Sequence, residues 1–193
     1  MGAETITAGA VRAQRADARR NAERILAEAR EVFAESGPDA SLEEIARRAG
    51  VGIGTLYRHF PTRRHLLEAV YVDEVEAISR SATELGDLPP WDALVTWLRR
   101  FVDYAETKRA LAQELFTYVD RDAAVFQTCR AAINGAGEPL LARAQEAGIV
   151  RPDVSFSDLV RLVASIAALP SPDEGQVDRV LDLALDGLRY RPA

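Results

Sequence analysis

Lysine, cysteine and histidine are all scarce in this chain. Of its 24 basic residues only Lys108 is lysine, a bias that points to a GC-rich coding genome rather than to a function. A single cysteine, Cys129, excludes an intramolecular disulfide, and a buried inert thiol is favoured over a redox role. The two histidines, His59 and His65, make no His-x-x-x-His pair, and no Cys-x-x-Cys occurs, so no metal site is expected. Glycines never form Gly-x-Gly-x-x-Gly or a phosphate loop, and the carboxylates are scattered over polar helix faces. The chain is therefore expected to be no enzyme and to carry no cofactor. No apolar run approaches the ~18 residues of a membrane span. The opening MGAETITAGAVRAQRADARR lacks the apolar core of a signal peptide, and Ile6 stands where myristoylation needs Ser or Thr. A cytoplasmic protein with no membrane partner is expected. Alternating patterns long enough for a strand are missing too, as are repeats and low-complexity segments.

What remains is a globular, helical composition, with 48% hydrophobic and 28% charged residues over 193 positions. That length suits one small and one medium domain. The net charge of −6 is unevenly spread. Residues 1–65 hold 11 Arg against 9 acidic residues, a balance of +2, while residues 66–193 carry −8. An acidic remainder does not prevent an anionic partner at the basic end, because salt screens its field within about 8 Å.

The basic end contains the most specific stretch, SLEEIARRAGVGIGTLYRHF at 41–60. Ser41 and Glu44 have the spacing of a capping box. Leu42, Ile45, Ala46 and Ala49 then share one helical face, opposite Glu43, Glu44, Arg47 and Arg48. Gly50 stands where a helix ends in a left-handed residue. A second short helix begins near Gly52 and carries Ile53, Gly54, Thr55, Leu56, Tyr57, Arg58 and His59, with Leu56 and Phe60 facing inward together. Gly54 leaves room for a close backbone approach. Thr62 caps the next helix. Arg63 and Arg64 in its first turn oppose the helix dipole, so a bound phosphate would explain them. The pattern is that of a helix-turn-helix, whose second helix enters the DNA major groove. By pattern alone an ordinary helix corner explains the window equally well.

Residues 20–70 resemble the DNA-binding domain of the TetR, or tetracycline-repressor-like, family. The matching text is Ile25-Leu26-x-x-Ala29, Val32-Phe33, Gly37, Ser41-Leu42-x-x-Ile45-Ala46-x-x-Ala49-Gly50-Val51, Gly54-Thr55-Leu56-Tyr57-x-His59-Phe60 and x-x-Arg63-x-x-Leu66-Leu67. It covers about 50 residues in register. The resemblance implies that Ser41, Thr55, Tyr57, His59 and Arg63 touch phosphates or base edges, with Gly52, Ile53, Gly54 and Arg58 on the same surface. Two positions depart from the family pattern: Gly52 replaces a common Ser, and Arg63 a common Lys.

The expected architecture is all-α. A flexible arm at 1–17 precedes a three-helix domain at 18–65, and a bundle of about six helices fills 66–193. Arg12 and Arg15 of the arm are read as solvated, with the first helix starting near Ala18; Arg19 and Arg20 lie nearer the DNA face. Later helices are expected over 62–85, 91–107, 111–119, 123–147, 156–169 and 176–190. Gly135, Gly137 and Pro139 are candidates for a bend.

The last two helices are the most apolar. Leu159, Leu162, Val163 and Ile166 on one, and Val177, Val180, Leu181, Ala184 and Leu188 on the other, suit a four-helix dimer interface. The family resemblance implies this homodimer. It also implies a ligand pocket near Trp97, Phe101, Tyr104, Phe116 and Phe126, with Gln113, Thr117, Gln127 and Asn134 orienting a small molecule. The resulting expectation is a repressor that binds a palindromic operator in double-stranded DNA as a dimer and is released by an unidentified effector. Two other readings are a helical interaction module without DNA binding, against which Thr55, Tyr57 and His59 argue, and a DNA-binding structural protein without a ligand.

Overall fold

The structure is a computed structural model describing residues 3–120, 123–169 and 175–189. Among these residues there is no sheet, only one antiparallel bridge between Val150 and Arg189. Eight α-helices follow one another: α1 (Ala3–Ser36), α2 (Leu42–Arg48), α3 (Ile53–His59), α4 (Arg63–Glu84), α5 (Pro90–Leu115), α6 (Ala124–Glu146), α7 (Phe156–Ala167) and α8 (Gln176–Asp186). A short 3-10 turn, Gly37–Asp39, links α1 to α2.

Two elements differ from the sequence-based expectation. The first helix begins at Ala3 rather than near Ala18, so the expected arm is drawn into α1. The stretch is rich in alanine and arginine and has no proline before Ser36, so nothing stops the helix. The side chain of Arg12 lies outside the described residues. Helices expected at 91–107 and 111–119 are one helix, α5, because Lys108-Arg109-Ala110 are good helix formers. The C-terminal bundle therefore has five helices, α4 to α8, among the described residues. Helix α6 is a single helix through Gly135, Gly137 and Pro139, matching the one expected at 123–147. The Pro170-Ser171-Pro172 break and Tyr190 lie outside the described residues.

Three helices make the N-terminal head. Ile25, Ala29, Val32 and Phe33 of α1 are buried against Ile45, Ala46, Ala49, Leu56 and Phe60. Helix α4 then leaves the head and becomes the central helix of the bundle, packing on α1, α5 and α6. Leu66, Leu67 and Val70 belong to the same core as the head, and Val75 and Ile78 continue it. The expected boundary at 65/66 thus falls in the first turn of α4, and the two parts share one continuous core.

At the far end the bundle is densely packed. Trp97 is fully buried, and its Nε1 donates to the Ile78 carbonyl at 3.1 Å. Its ring stacks on Phe101 at 5.3 Å and leans on Phe156 at 5.7 Å. Gly137 explains its own identity here, since a Cβ would overlap Phe156 and approach Trp97 Cη2 to 2.9 Å. Helix α7 starts with a complete capping box between Ser155 and Asp158. Arg99 ties α8 to α5 through Asp182 at 2.6 Å.

Candidate DNA-reading surface and interior site

The turn of the helix-turn-helix is built as its residues require. Gly50 has φ 63, the left-handed region that side chains with a Cβ rarely occupy. Arg24 of α1 donates to the carbonyl of Ala49 and so caps the end of α2. Its guanidinium lies where a Gly50 Cβ would sit, with Nη2 2.6 Å from that position. No local sequence signal marks this cap, because the partners are 25 residues apart.

Ser41 caps α2 by accepting from the Glu44 backbone N–H at 3.3 Å. The expected box stays half-made. Glu44 is drawn instead to Arg47 at 2.7 Å and Arg48 at 2.8 Å, and Arg48 also holds Glu35. Hydrogen bonds from Arg47 and then Arg48 pull the Glu44 carboxyl down to about 2. These two arginines are thereby neutralised within the head.

Helix α3 separates its faces cleanly. Leu56 is fully buried and Phe60 nearly so, while Ile53 and Tyr57 are 38% and 44% exposed. Arg58 is exposed too and, among the described residues, has no carboxylate partner; Thr55 and His59 are half-buried. Gly52 caps the helix without a side chain, and a Cβ at either Gly52 or Gly54 would meet only open space. Thr62 caps α4 as expected, accepting from the His65 N–H at 3.3 Å. Arg19 and Arg20 are exposed on α1 and pair with Glu23 and Asp17.

Arg63 is placed differently from its neighbours. It is half-buried, donates to Glu114 Oε1 at 2.6 Å and to the Ala40 carbonyl, and lies 5.1 Å from the Phe33 ring centroid. Arg64 pairs with Glu68 at 2.8 Å. Both cations of this first turn thus have partners within the chain, and no phosphate is needed to explain them. Glu114, on the last turn of α5, is buried, so this ion pair joins the bundle to the head.

The sequence-predicted pocket residues divide into two groups. Trp97 and Phe101 belong to the packed end. Tyr104, Phe116 and Phe126 belong to the end nearer the head, where Phe116 meets Phe126 at 5.0 Å. Tyr71, Lys108 and Cys129 complete that second group and were missed by sequence reasoning. Tyr71 meets Phe126 edge-on at 5.3 Å, and burial raises the Tyr71 and Cys129 pKa values. Gln113, Thr117 and Gln127 are exposed, and Thr117 lines a surface cleft together with Phe116. Asn134 is half-buried.

Of the candidate dimer residues, Leu159, Val163, Ile166, Leu181 and Leu188 are buried within the chain itself. Val177, Val180 and Ala184 are half-buried and Leu162 is 42% exposed. Leu169 and Leu183 are also exposed, and Leu183 is the most exposed large apolar residue among those described, at 73%.

Two family profiles match the chain. Residues 25–70 match the one described as bacterial regulatory proteins of the tetR family, and residues 89–190 match the SbtR-like transcriptional regulator C-terminal domain. The chain belongs to the TetR family. It is similar in structure to the TetR transcriptional regulator SCO0520 from Streptomyces coelicolor, at 44% identity and TM-score 0.79, covering 89% of this chain and 99% of that one. A TetR regulator from Mycobacterium vanbaalenii gives 38% identity and TM-score 0.77 over 92% and 99% of the two chains. In sequence, the regulator UidR of Escherichia coli strain K12 is 28% identical over 148 residues, or 74% of this chain and 76% of UidR. This TetR-family protein is thus a DNA-binding transcriptional regulator. Among its described residues no helix is long and apolar enough to cross a membrane.

Proposed function

We propose that this regulator is a cytoplasmic repressor that binds a palindromic operator as a homodimer and leaves it when a small molecule enters the bundle. The observation that carries the reading is the face of α3. Its apolar residue is buried, while Ile53, Tyr57 and Arg58 project outward from a helix with no acidic residue. Tyr57, Ser41 and His59 then meet phosphates, which position the head. Thr55 reaches a base edge, and the side-chain-free Gly52 and Gly54 let the backbone approach the groove.

A dimer follows from the apolar residues on and beside α7 and α8, in which Leu162, Leu169 and Leu183 stay exposed among the described residues. Two heads on such a dimer read half-sites about 34–36 Å apart. Release follows from thermodynamics: a ligand weakens DNA binding only if it favours a conformation whose heads no longer match that spacing. Arg63–Glu114 is the contact through which movement of α5 reaches the head.

The reading is tested by sedimentation and by titration of the DNA beside the gene at several salt concentrations. A dimer at micromolar concentration is expected, with a log–log salt slope of about −5 to −7 if each head neutralises roughly three or four phosphates. A monomer, or a slope near zero, would contradict it.

A further inference from the structure

Lys108 points from α5 into the space between α4, α5 and α6, and no described carboxylate balances its charge. Its Nζ lies 5.3 Å from the Tyr104 ring centroid and 5.6 Å from that of Tyr71. The titratable groups around it come from three helices. Tyr71 and Glu74 lie on α4, Tyr104 on α5, and Cys129 and Arg130 on α6. Glu74 is engaged by Arg30 of α1. Arg130 adds like charge, and burial favours the neutral Cys129 thiol. Among the described residues, no carboxylate pairs with Lys108. Beside it, Tyr104 is only 4% exposed, and its hydroxyl has no hydrogen-bond partner.

A half-buried cation without an anion among the described residues and a buried hydroxyl without a partner are both costly. Convergent polar groups with a perturbed environment inside an aromatic interior are the ordinary composition of a small-molecule site. One cation and one hydroxyl donor match a monoanionic carboxylate; a phosphate dianion would call for more donors. The neighbouring rings of Phe126 and Phe116 supply an apolar wall beside Tyr71.

We infer that Lys108 and Tyr104 form the polar head of an effector site, and that the effector is a small amphipathic carboxylate with its apolar body against Phe126 and Phe116. This rests on the reading that a small molecule releases the protein from DNA. The carboxylate supplies the missing counter-ion and accepts from the Tyr104 hydroxyl. Burial holds Lys108 below the ordinary lysine range, so binding an anion moves its pKa back up.

Because Lys108 is the only lysine, protein made with ¹³C-lysine gives one side-chain signal, assigned without further work. The probes are octanoate and octanol, which share an apolar chain. Octanoate is expected to shift this signal, to raise the pH at which it titrates, and to bind at least tenfold more tightly than octanol. Lys108→Met should erase that preference, while Lys108→Arg should keep part of it. Without any probe, Lys108→Met should raise Tm by roughly 2–4 °C, because it removes an unbalanced charge. A lysine signal indifferent to octanoate, or a Lys108→Met variant with lowered Tm, would overturn the site. If octanol released DNA as well as octanoate did without moving the signal, the carboxylate site would fall and the release reading would stand. If octanoate moved the signal but left DNA binding unchanged, the site would stand and release would fall.

Discussion

The aromatic face of α5 has two ends, and they obey opposite rules. At Trp97 the ring is fully buried and its polar atom matched: the indole N–H meets the Ile78 carbonyl, and Gly137 surrenders its side chain to let Phe156 and Trp97 touch. At Tyr104, about two turns on and in contact with Phe101, a hydroxyl goes unpaired and, among the described residues, a lysine sits over two rings without a counter-ion. Interiors are normally close-packed with their polar groups satisfied. The first end meets that standard and fixes the frame. The second departs from it on the helix that also carries Glu114, the partner of Arg63 in the head. It is the end to which the effector site is assigned.

Substitutions at the two ends should separate them by size and by sign. Trp97→Ala removes a fully buried ring from the packed end and should cost about 3–5 kcal/mol in chemical denaturation. A cost under 1 kcal/mol would mean that this end is loosely packed after all. Glu114→Gln leaves Arg63 half-buried without its carboxylate. A loss of about 2 kcal/mol is expected, below the 3–5 kcal/mol of a fully buried pair because a fifth of Arg63 remains exposed. The same variant should alter operator affinity, although neither residue of the pair lies on α3; unchanged affinity would remove the ion pair from the coupling route. Tyr104→Phe should go the other way, gaining up to about 1 kcal/mol by deleting an unpaired hydroxyl. A loss instead would show that the hydroxyl already has a partner.

The same contrast explains what could be read in the sequence. The head was legible because its signals are local: Ser41 three residues before Glu44, Gly50 at a helix end, Thr62 before Arg63. Leu56 and Phe60 are one turn apart, so their shared face follows from helical periodicity alone. Trp97 and Phe101 were legible for the same reason. What was hidden depends on partners far along the chain. Arg24 capping Ala49, Glu114 holding Arg63 and the meeting of Tyr71, Lys108 and Cys129 are products of tertiary packing, and no spacing rule encodes them. Glu44 was read correctly as near Ser41, yet Arg47 and Arg48 compete for its carboxylate and win. Nearness in sequence to an aromatic does not fix the face of a polar residue: Gln113 and Thr117 flank Phe116 closely, yet both are exposed. Leu183 was passed over in favour of neighbours that turned out to be buried.

Footprinting of this protein on the DNA beside its own coding region tests the central claim most directly. Protection should cover two half-sites related by two-fold symmetry, with centres about one duplex turn apart, as two copies of α3 held by α7 and α8 require. A single asymmetric site, or no protection where Tyr57 and Arg58 are intact, would contradict it.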